Sequence, residues 1–416
     1  MMKRHVRWSL LSCSILWLSC GPREAGEQAS SIEGPLVLHR ALTVGTSLPA
    51  LAASPAGPAL LYVEEHGDTV VLQWAQWTEE EWTEPSVIHE GTNLLVNWAD
   101  RPGLAFGEDG DAHAHWLEID PRGDFTYGIR AVHSSDGGHT WSTPDRPHRD
   151  TAVAEHGFGQ WMIGAEGVLF AWLDGRRFDG HPDPAKAPME VRASQWNAES
   201  GWSEEVVLDS SACTCCPLAA APHRNGHLLA YRDRTSDEVR DFSGVVLQAS
   251  ASGTPVLLNG PAPVGKDGWR IAGCPVNGAA LASSHDRTLA VWFTNAGDTS
   301  RVRSAWKNAP DADWSGLSDL CPNDAVGRVA AAVDGTGTFH AVWMERRDGD
   351  AVLVGRRWDD QGDAIDPGTV VLTGMDAARA GGFPSMVGLE DGGALIAWTT
   401  TGKEAHVRTA HWTPPP

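Results

Sequence analysis

A chain of 416 residues with 32 Lys and Arg against 54 Asp and Glu carries a formal net charge of −22, which excludes nucleic acid as a partner class, because phosphate-backbone binding runs on Lys and Arg. An apolar content of 42% with 21% charged residues is that of a packed globular chain, not a disordered one. Forty-five Gly and 26 Pro suit a turn-rich architecture, and 20 Trp beside 3 Tyr and 9 Phe show that some structural position calls for Trp repeatedly.

The N-terminus reads as an address. Lys3, Arg4 and Arg7 precede an apolar run of 12 residues, 8–19, too short to span a bilayer, which takes about 20. A basic start, a short apolar core and a small residue before the cut make a secretory signal. Leu16-Trp17-Leu18-Ser19-Cys20-Gly21 resembles a bacterial lipobox, with Trp17 where Leu or Val is usual. That resemblance implies acylation of Cys20 and a lipid-anchored periplasmic or outer-membrane protein. An ordinary signal peptide is the plainer alternative, and the apolar run before Cys13 is too short for a cut there. The expected organisation is a signal over 1–19, a tether rich in Gly, Ser, Glu and Gln over 20–34, and a folded unit over 35–416.

That unit repeats. Seven apolar runs end in an aromatic: Tyr62, Trp116, Trp172, Tyr231, Trp292, Trp343 and Trp398, at separations of 54, 56, 59, 61, 51 and 55 residues. Before several of them lies a strand of small residues (49–53, 216–221, 278–282, 328–333), suited to crowding at a central axis. After each comes a period-2 strand (70–77, 129–134, 190–196, 245–249, 301–306, 352–358, 406–412), and then, in several units, a fourth (86–89, 205–208, 255–258, 369–372). Four short strands per unit without helical periodicity predict an all-β propeller of four-stranded antiparallel blades. The last unit lacks a fourth strand and the first is preceded by a spare one, 35–42. Pairing the two would close a seven-bladed ring and leave no edge. Six blades plus an irregular hairpin is the alternative.

Ser134-Ser135-Asp136-Gly137-Gly138-His139-Thr140-Trp141 matches the Asp-box pattern Ser-x-Asp-x-Gly-x-Thr-Trp and resembles the BNR repeat of the sialidase superfamily. Degenerate relatives are Trp82-Thr83-Glu84-Pro85, Trp202-Ser203 and Trp314-Ser315. The resemblance implies a box between third and fourth strands, away from the active face, so Ser134, Asp136, Gly138 and Trp141 mark the fold. It also implies, for a sialidase, three carboxylate-binding Arg, a Tyr–Glu nucleophile and an Asp acid/base. This chain has no Arg-Ile-Pro and no Tyr after Tyr231, so that catalytic set does not carry over. Cys213-Thr214-Cys215-Cys216-Pro217 with Asp267-Gly268-Trp269-Arg270-Ile271-Ala272-Gly273-Cys274-Pro275 resembles a subset of bacterial sialidase-like lipoproteins.

Loops joining strands two and three, and those joining successive blades, open on one face of a propeller, the usual ligand funnel. Arg-acid pairs recur there: Asp174 with Arg176 and Arg177, Arg232 with Asp233, Arg240 with Asp241, and Arg346. An Arg fork binds carboxylate, phosphate or sulfate in two-point fashion; the bland alternative is that each Arg knits its own loop. Trp269 and Asn277 share the face. Cys213, Cys215, Cys216, Cys274 and Cys321 lie in the loops of three adjacent blades. Two disulfides and a thiol, a vicinal bridge, or a thiolate site for Cu(I) or Zn are the readings, with His156 and His181 as further ligand candidates.

The function these residues favour is the binding of an anionic small molecule or glycan by a monomer attached to the membrane through its lipid alone. A glycoside hydrolase using Asp174, Asp233 or Asp241, and a metal or thiol-redox protein built on the cysteines, are the alternatives.

Overall fold

The computed structural model describes residues 36–39, 42–78, 81–124, 126–181 and 187–413; the signal, Cys13, Cys20 and the tether lie outside them. Seven antiparallel sheets form a seven-bladed β-propeller. Blade 1 holds β2 (Thr46–Ser54), β3 (Gly57–His66), β4 (Thr69–Gln76) and β5 (Ser86–Gly91). Blade 2 holds β6 (Gly103–Phe106), β7 (Ala112–Ile119) and β8 (Tyr127–Ser134). Blade 3 holds β9 (His156–Gly164), β10 (Gly167–Asp174), β11 (Met189–Asn197) and an outer strand split into β12 (Gly201–Trp202) and β13 (Val206–Ala212). Blade 4 runs through β14 (Ala219–His223), β15 (Gly226–Arg232), β16 (Phe242–Gln248) and β17 (Val256–Pro263). Blade 5 runs through β18 (Ala279–Ser284), β19 (Arg287–Thr294), β20 (Arg301–Lys307) and β21 (Trp314–Cys321). Blade 6 comprises β22 (Ala325–Val333), β23 (Phe339–Arg347), β24 (Asp350–Trp358) and β25 (Thr369–Met375). Blade 7 comprises β26 (Ser385–Gly388), β27 (Ala394–Thr399) and β28 (Val407–Trp412), and takes β1 (Leu36–Leu38) as its outer strand.

The ring closes as expected. Leu36 pairs with Trp412, Val37 with His411 and Leu38 with Ala410, antiparallel. The paired strand is shorter than the expected 35–42, although His39 and Leu42 N–H still donate to the Thr409 and Val407 carbonyls. Blade 2 departs from the four-strand rule. Beyond the box its chain meets β8 at Ser142, bonded to His133, and at the Ala131–Asp145 bridge, but forms no fourth strand, because Pro144 and Pro147 flank that bridge and bring no N–H to a ladder.

All seven repeated aromatics sit on the second strand of their blades, and none is more than 3% exposed. Flat sheets stacked around an axis leave wedges between them, and indole fills a wedge with the most apolar area. The fit is close at Gly355 in β24, where a Cβ would meet Trp412 Cη2 at 2.5 Å. At the box, Ser134 Oγ donates to Asp136 Oδ1 at 2.7 Å, Asp136 Oδ2 receives the Thr140 hydroxyl at 2.6 Å, and Gly138 takes φ +86°. Its work is local turn-making.

Candidate functional site

The Arg-acid loops turn out to be braces. Trp172 Nε1–H donates to Asp174 Oδ2 at 2.7 Å, and Arg176, two residues on, closes a fork on the same carboxylate at 2.7 Å from both Nε and Nη2. Blade 6 repeats the device: Trp343 Nε1–H meets Glu345 Oε2 and Arg347 Nε–H meets Glu345 Oε1, both at 2.7 Å. Blade 5 does it at longer range, with Asp267 accepting from Trp292 Nε1 at 2.7 Å and from Arg303 at 2.6 Å. A buried indole N–H needs an acceptor, and a buried carboxylate needs a cation; the carboxylate meets the first need and the Arg the second.

These contacts correct the sequence expectation for most of the rim. Asp174 is fully buried and saturated, so it has no lone pair for a substrate. Asp241 spends its oxygens on the Gly268 and Trp269 N–H groups at 2.7 and 3.0 Å. Asp233 is half-buried and accepts from the Arg234 N–H and the Ser243 hydroxyl. Arg232 is only 1% exposed. Its guanidinium donates to the Arg240, Asn277 and Phe293 carbonyls at 2.7, 3.0 and 2.9 Å. It is sandwiched between the Phe242 and Trp269 rings at 4.1 and 4.9 Å. Trp269 is thereby buried too, and Asn277 Oδ1 is used by the Arg328 N–H at 2.8 Å. The brace holds strain in place: Val276, a β-branched residue, has φ +48°. Arg177 and Arg346 remain exposed; Arg177 faces Glu190 at 3.4 Å and Arg346 donates to the Gly349 carbonyl of its own loop.

Three of the cysteines, Cys213, Cys215 and Cys216, cluster within 4.8 Å of one another. Cys213 Sγ lies 3.7 Å from Cys215 Sγ and 3.8 Å from Cys216 Sγ. Disulfide sulfurs sit about 2.05 Å apart, and all five described cysteines are free in the structure. Cys274, exposed on the loop into blade 5, lies with its Sγ 3.8 Å from Thr214 Oγ1. Cys321 stands apart, donating to the Asn323 carbonyl at 2.8 Å. Pro217 delays β14 to Ala219, so Cys213, Cys215 and Cys216 occupy a loop where their side chains need not alternate. Arg240 Nη1–H donates to Cys213 Sγ at 3.3 Å while its Nη2 holds Glu238 at 2.7 Å. Hydrogen bonds from the Cys215 and Cys216 thiols, with the Arg240 charge, hold Cys213 far below the usual thiol range. Burial pushes Cys216 up to about 12.

Two arrangements escaped the sequence. The first surrounds Asp100, which burial pushes up to about 8 and whose Oδ1 accepts the Phe158 N–H at 2.7 Å. Its Oδ2 is buried with no hydrogen-bond partner. Gly157 makes room for it beside Tyr127, since a Cβ there would lie 2.0 Å from Asp100 Oδ2 and 2.8 Å from Tyr127 Cε2. Glu155, bridged to Tyr127 through the backbone, is pushed up to about 7 by burial and by the nearby Cys274. The second is His148–Asp150–His156. The imidazoles stack at 4.1 Å, and Asp150 Oδ2 lies 3.2 Å from His148 Nδ1 and 3.0 Å from His156 Nε2. Arg176 joins Asp150, Asp174 and Glu205 at 3.1, 2.7 and 2.6 Å. His156 thus serves carboxylates, not the cysteines. His181 follows the 3-10 turn Arg176–Phe178, its N–H on the Phe178 carbonyl.

A cleft of about 430 Å³ opens beside this second group, between blades 2 and 3. Tyr127, His148, Asp150 and His156 line it with three arginines. Arg122 is held by Asp120 at 2.5 Å and Arg130 by Glu118 at 2.7 Å. Arg146 is exposed and makes no ion pair among the described residues. No signal of spacing announces this cleft: its residues come from two blades and a loop without repeat character.

The sequence matches no protein-family model and no curated protein. Solved structures match in shape. A protein of unknown function from Dyadobacter fermentans superposes with a TM-score of 0.50 at 12% identity, covering 92% of this chain and 99% of that one. A polysaccharide lyase of family PL25, an ulvan lyase, gives 0.50 at 10% identity over 91% and 95%. The intramolecular trans-sialidase of Ruminococcus gnavus gives 0.42 at 10% over 88% and 94%. At such identities the likeness establishes the propeller fold alone.

Proposed function

We propose that the chain is an envelope-anchored, sialidase-like propeller that binds an anionic, glycan-like ligand on its loop face, in the cleft between blades 2 and 3. The observation that carries this reading is Arg146, an exposed cation without an ion-pair contact among the described residues, lining a cleft whose other arginines are already paired. Fixed Arg–carboxylate pairs offer hydroxyl groups both donors and acceptors, while the free guanidinium supplies a fork for an acid group. This moves the ligand away from the Arg232 and Arg240 loops, whose forks are spent on the fold. Uronate-containing and sialylated oligosaccharides, each beside a neutral counterpart, are the probes. The acidic members should bind more tightly, and Arg146→Ala should cost them about tenfold or more, as loss of a charge-assisted bond does. Equal binding of acidic and neutral probes, unchanged in Arg146→Ala, would sink the reading; shortened products would turn the binder into an enzyme.

Anchoring through Cys20 belongs to the same proposal. Cys20→Ala should release the protein from the membrane fraction, since no other apolar stretch of the sequence matches a span. Retention of that variant on membranes in high salt would overturn the anchor.

A further inference from the structure

The structure assigns a second site, independent of the cleft: we propose that Cys213, Cys215, Cys216 and Cys274 bind one thiophilic cation with a filled d shell, Zn(II) or Cu(I), clamping blade 4 to blade 5. The spacing carries the argument. Tetrahedral thiolate sites with metal–sulfur bonds of about 2.3 Å have sulfur–sulfur edges of roughly 3.8 Å. The edges here are 3.7 Å for Cys213–Cys215 and 3.8 Å for Cys213–Cys216, and the three sulfurs all lie within 4.8 Å of one another. A cation can therefore seat on this face without backbone movement. Cys274 would supply the fourth sulfur from the next blade, where its exposed side chain stands beside the loop with Sγ 3.8 Å from Thr214 Oγ1.

The surroundings fit thiolates better than packed thiols. Two small buried apolar groups would need no cation, yet Arg240 aims an N–H at Cys213 Sγ from 3.3 Å. Arg232 lies buried beside it, its carbonyl accepting the Cys213 N–H at 2.9 Å and its guanidinium bonded to the Arg240 carbonyl at 2.7 Å. Four thiolates on Zn(II) carry a net double negative charge, and two guanidiniums are what such a cluster needs beside it. An all-sulfur set selects soft or borderline ions over Ca(II) or Mg(II), which take oxygen. The fifth cysteine sharpens the assignment, since Cys321 points its thiol to the Asn323 carbonyl and takes no part. The loop also explains the run itself: Pro217 and the strained Val276 fix the two segments that deliver the sulfurs.

Metal analysis of the purified full-length protein, with a thiol count before and after denaturation, tests this directly. About one equivalent of Zn or Cu is expected, with Cys213, Cys215, Cys216 and Cys274 shielded from alkylation until the metal is stripped. Loading the stripped protein with Co(II) should produce the thiolate charge-transfer absorption of a tetrahedral sulfur site. Cys215→Ser should abolish binding. Cys274→Ser, on an exposed side chain and so harmless to folding, should weaken it by roughly 10–100-fold, at least what loss of an outer-shell partner costs. Cys321→Ser should change nothing. The assignment is overturned by a folded protein that takes up neither metal, by four sulfurs found as two disulfides, or by metal that persists in Cys215→Ser.

Discussion

A chain lacking residues 1–42 should melt well below the intact protein and aggregate. Removing β1 strips Leu36 from a cluster containing Trp412, Ile396 and Met386, and leaves β28 with unpaired backbone groups along its outer side. Loss of one buried Leu and of the ladder bonds from Leu36 to Leu42 amounts to about 3 kcal/mol or more. The exposed edge then invites pairing between molecules. A thermal melt with size-exclusion chromatography is the check, and an unchanged midpoint with a monomeric profile would refute closure of the ring.

The second large effect is expected at Arg232. Arg232→Ala would leave the carbonyls of Arg240, Asn277 and Phe293 without their donor and open a gap between Phe242 and Trp269. Bonds from a charged donor are worth about 1.5–3 kcal/mol each, though not additively, so a loss on the order of 4 kcal/mol is expected. Arg346→Ala, at the same rim but exposed, should move stability by less than about 0.5 kcal/mol. Urea titration of the two variants decides the matter: equal, small effects at both positions would show that Arg232 is a surface group.

The contrast between those two arginines shows how far the sequence reaches. Blade number and closure were legible because packing repeats itself: the same wedge demands an aromatic every 55 residues or so, and an unpaired strand at each end demands a partner. The cysteine cluster was legible as a cluster, since one motif carries three sulfurs, but only distances separate a thiolate site from two disulfides. The Arg-acid loops misled because an acid two residues before an Arg reads the same whether the fork faces solvent or caps a buried indole. Trp172, Asp174 and Arg176 lie within five residues, yet nothing in that spacing tells that the carboxylate points inward. Asp100, Tyr127 and Glu155 were missed for the opposite reason. They are scattered over 56 residues of unlike loops and strands, and only the ring geometry brings them together.

The placement of ligand on one arc of the loop face is the claim on which the functional account rests. A crystal structure of the protein with the tightest-binding acidic oligosaccharide tests it most directly. The account predicts sugar in the cleft lined by Tyr127, His148 and Arg146, with its acid group on the Arg146 guanidinium. Sugar bound instead on the opposite face beside the Asp136 turn, or only at the Cys213–Cys216 loop, would contradict it.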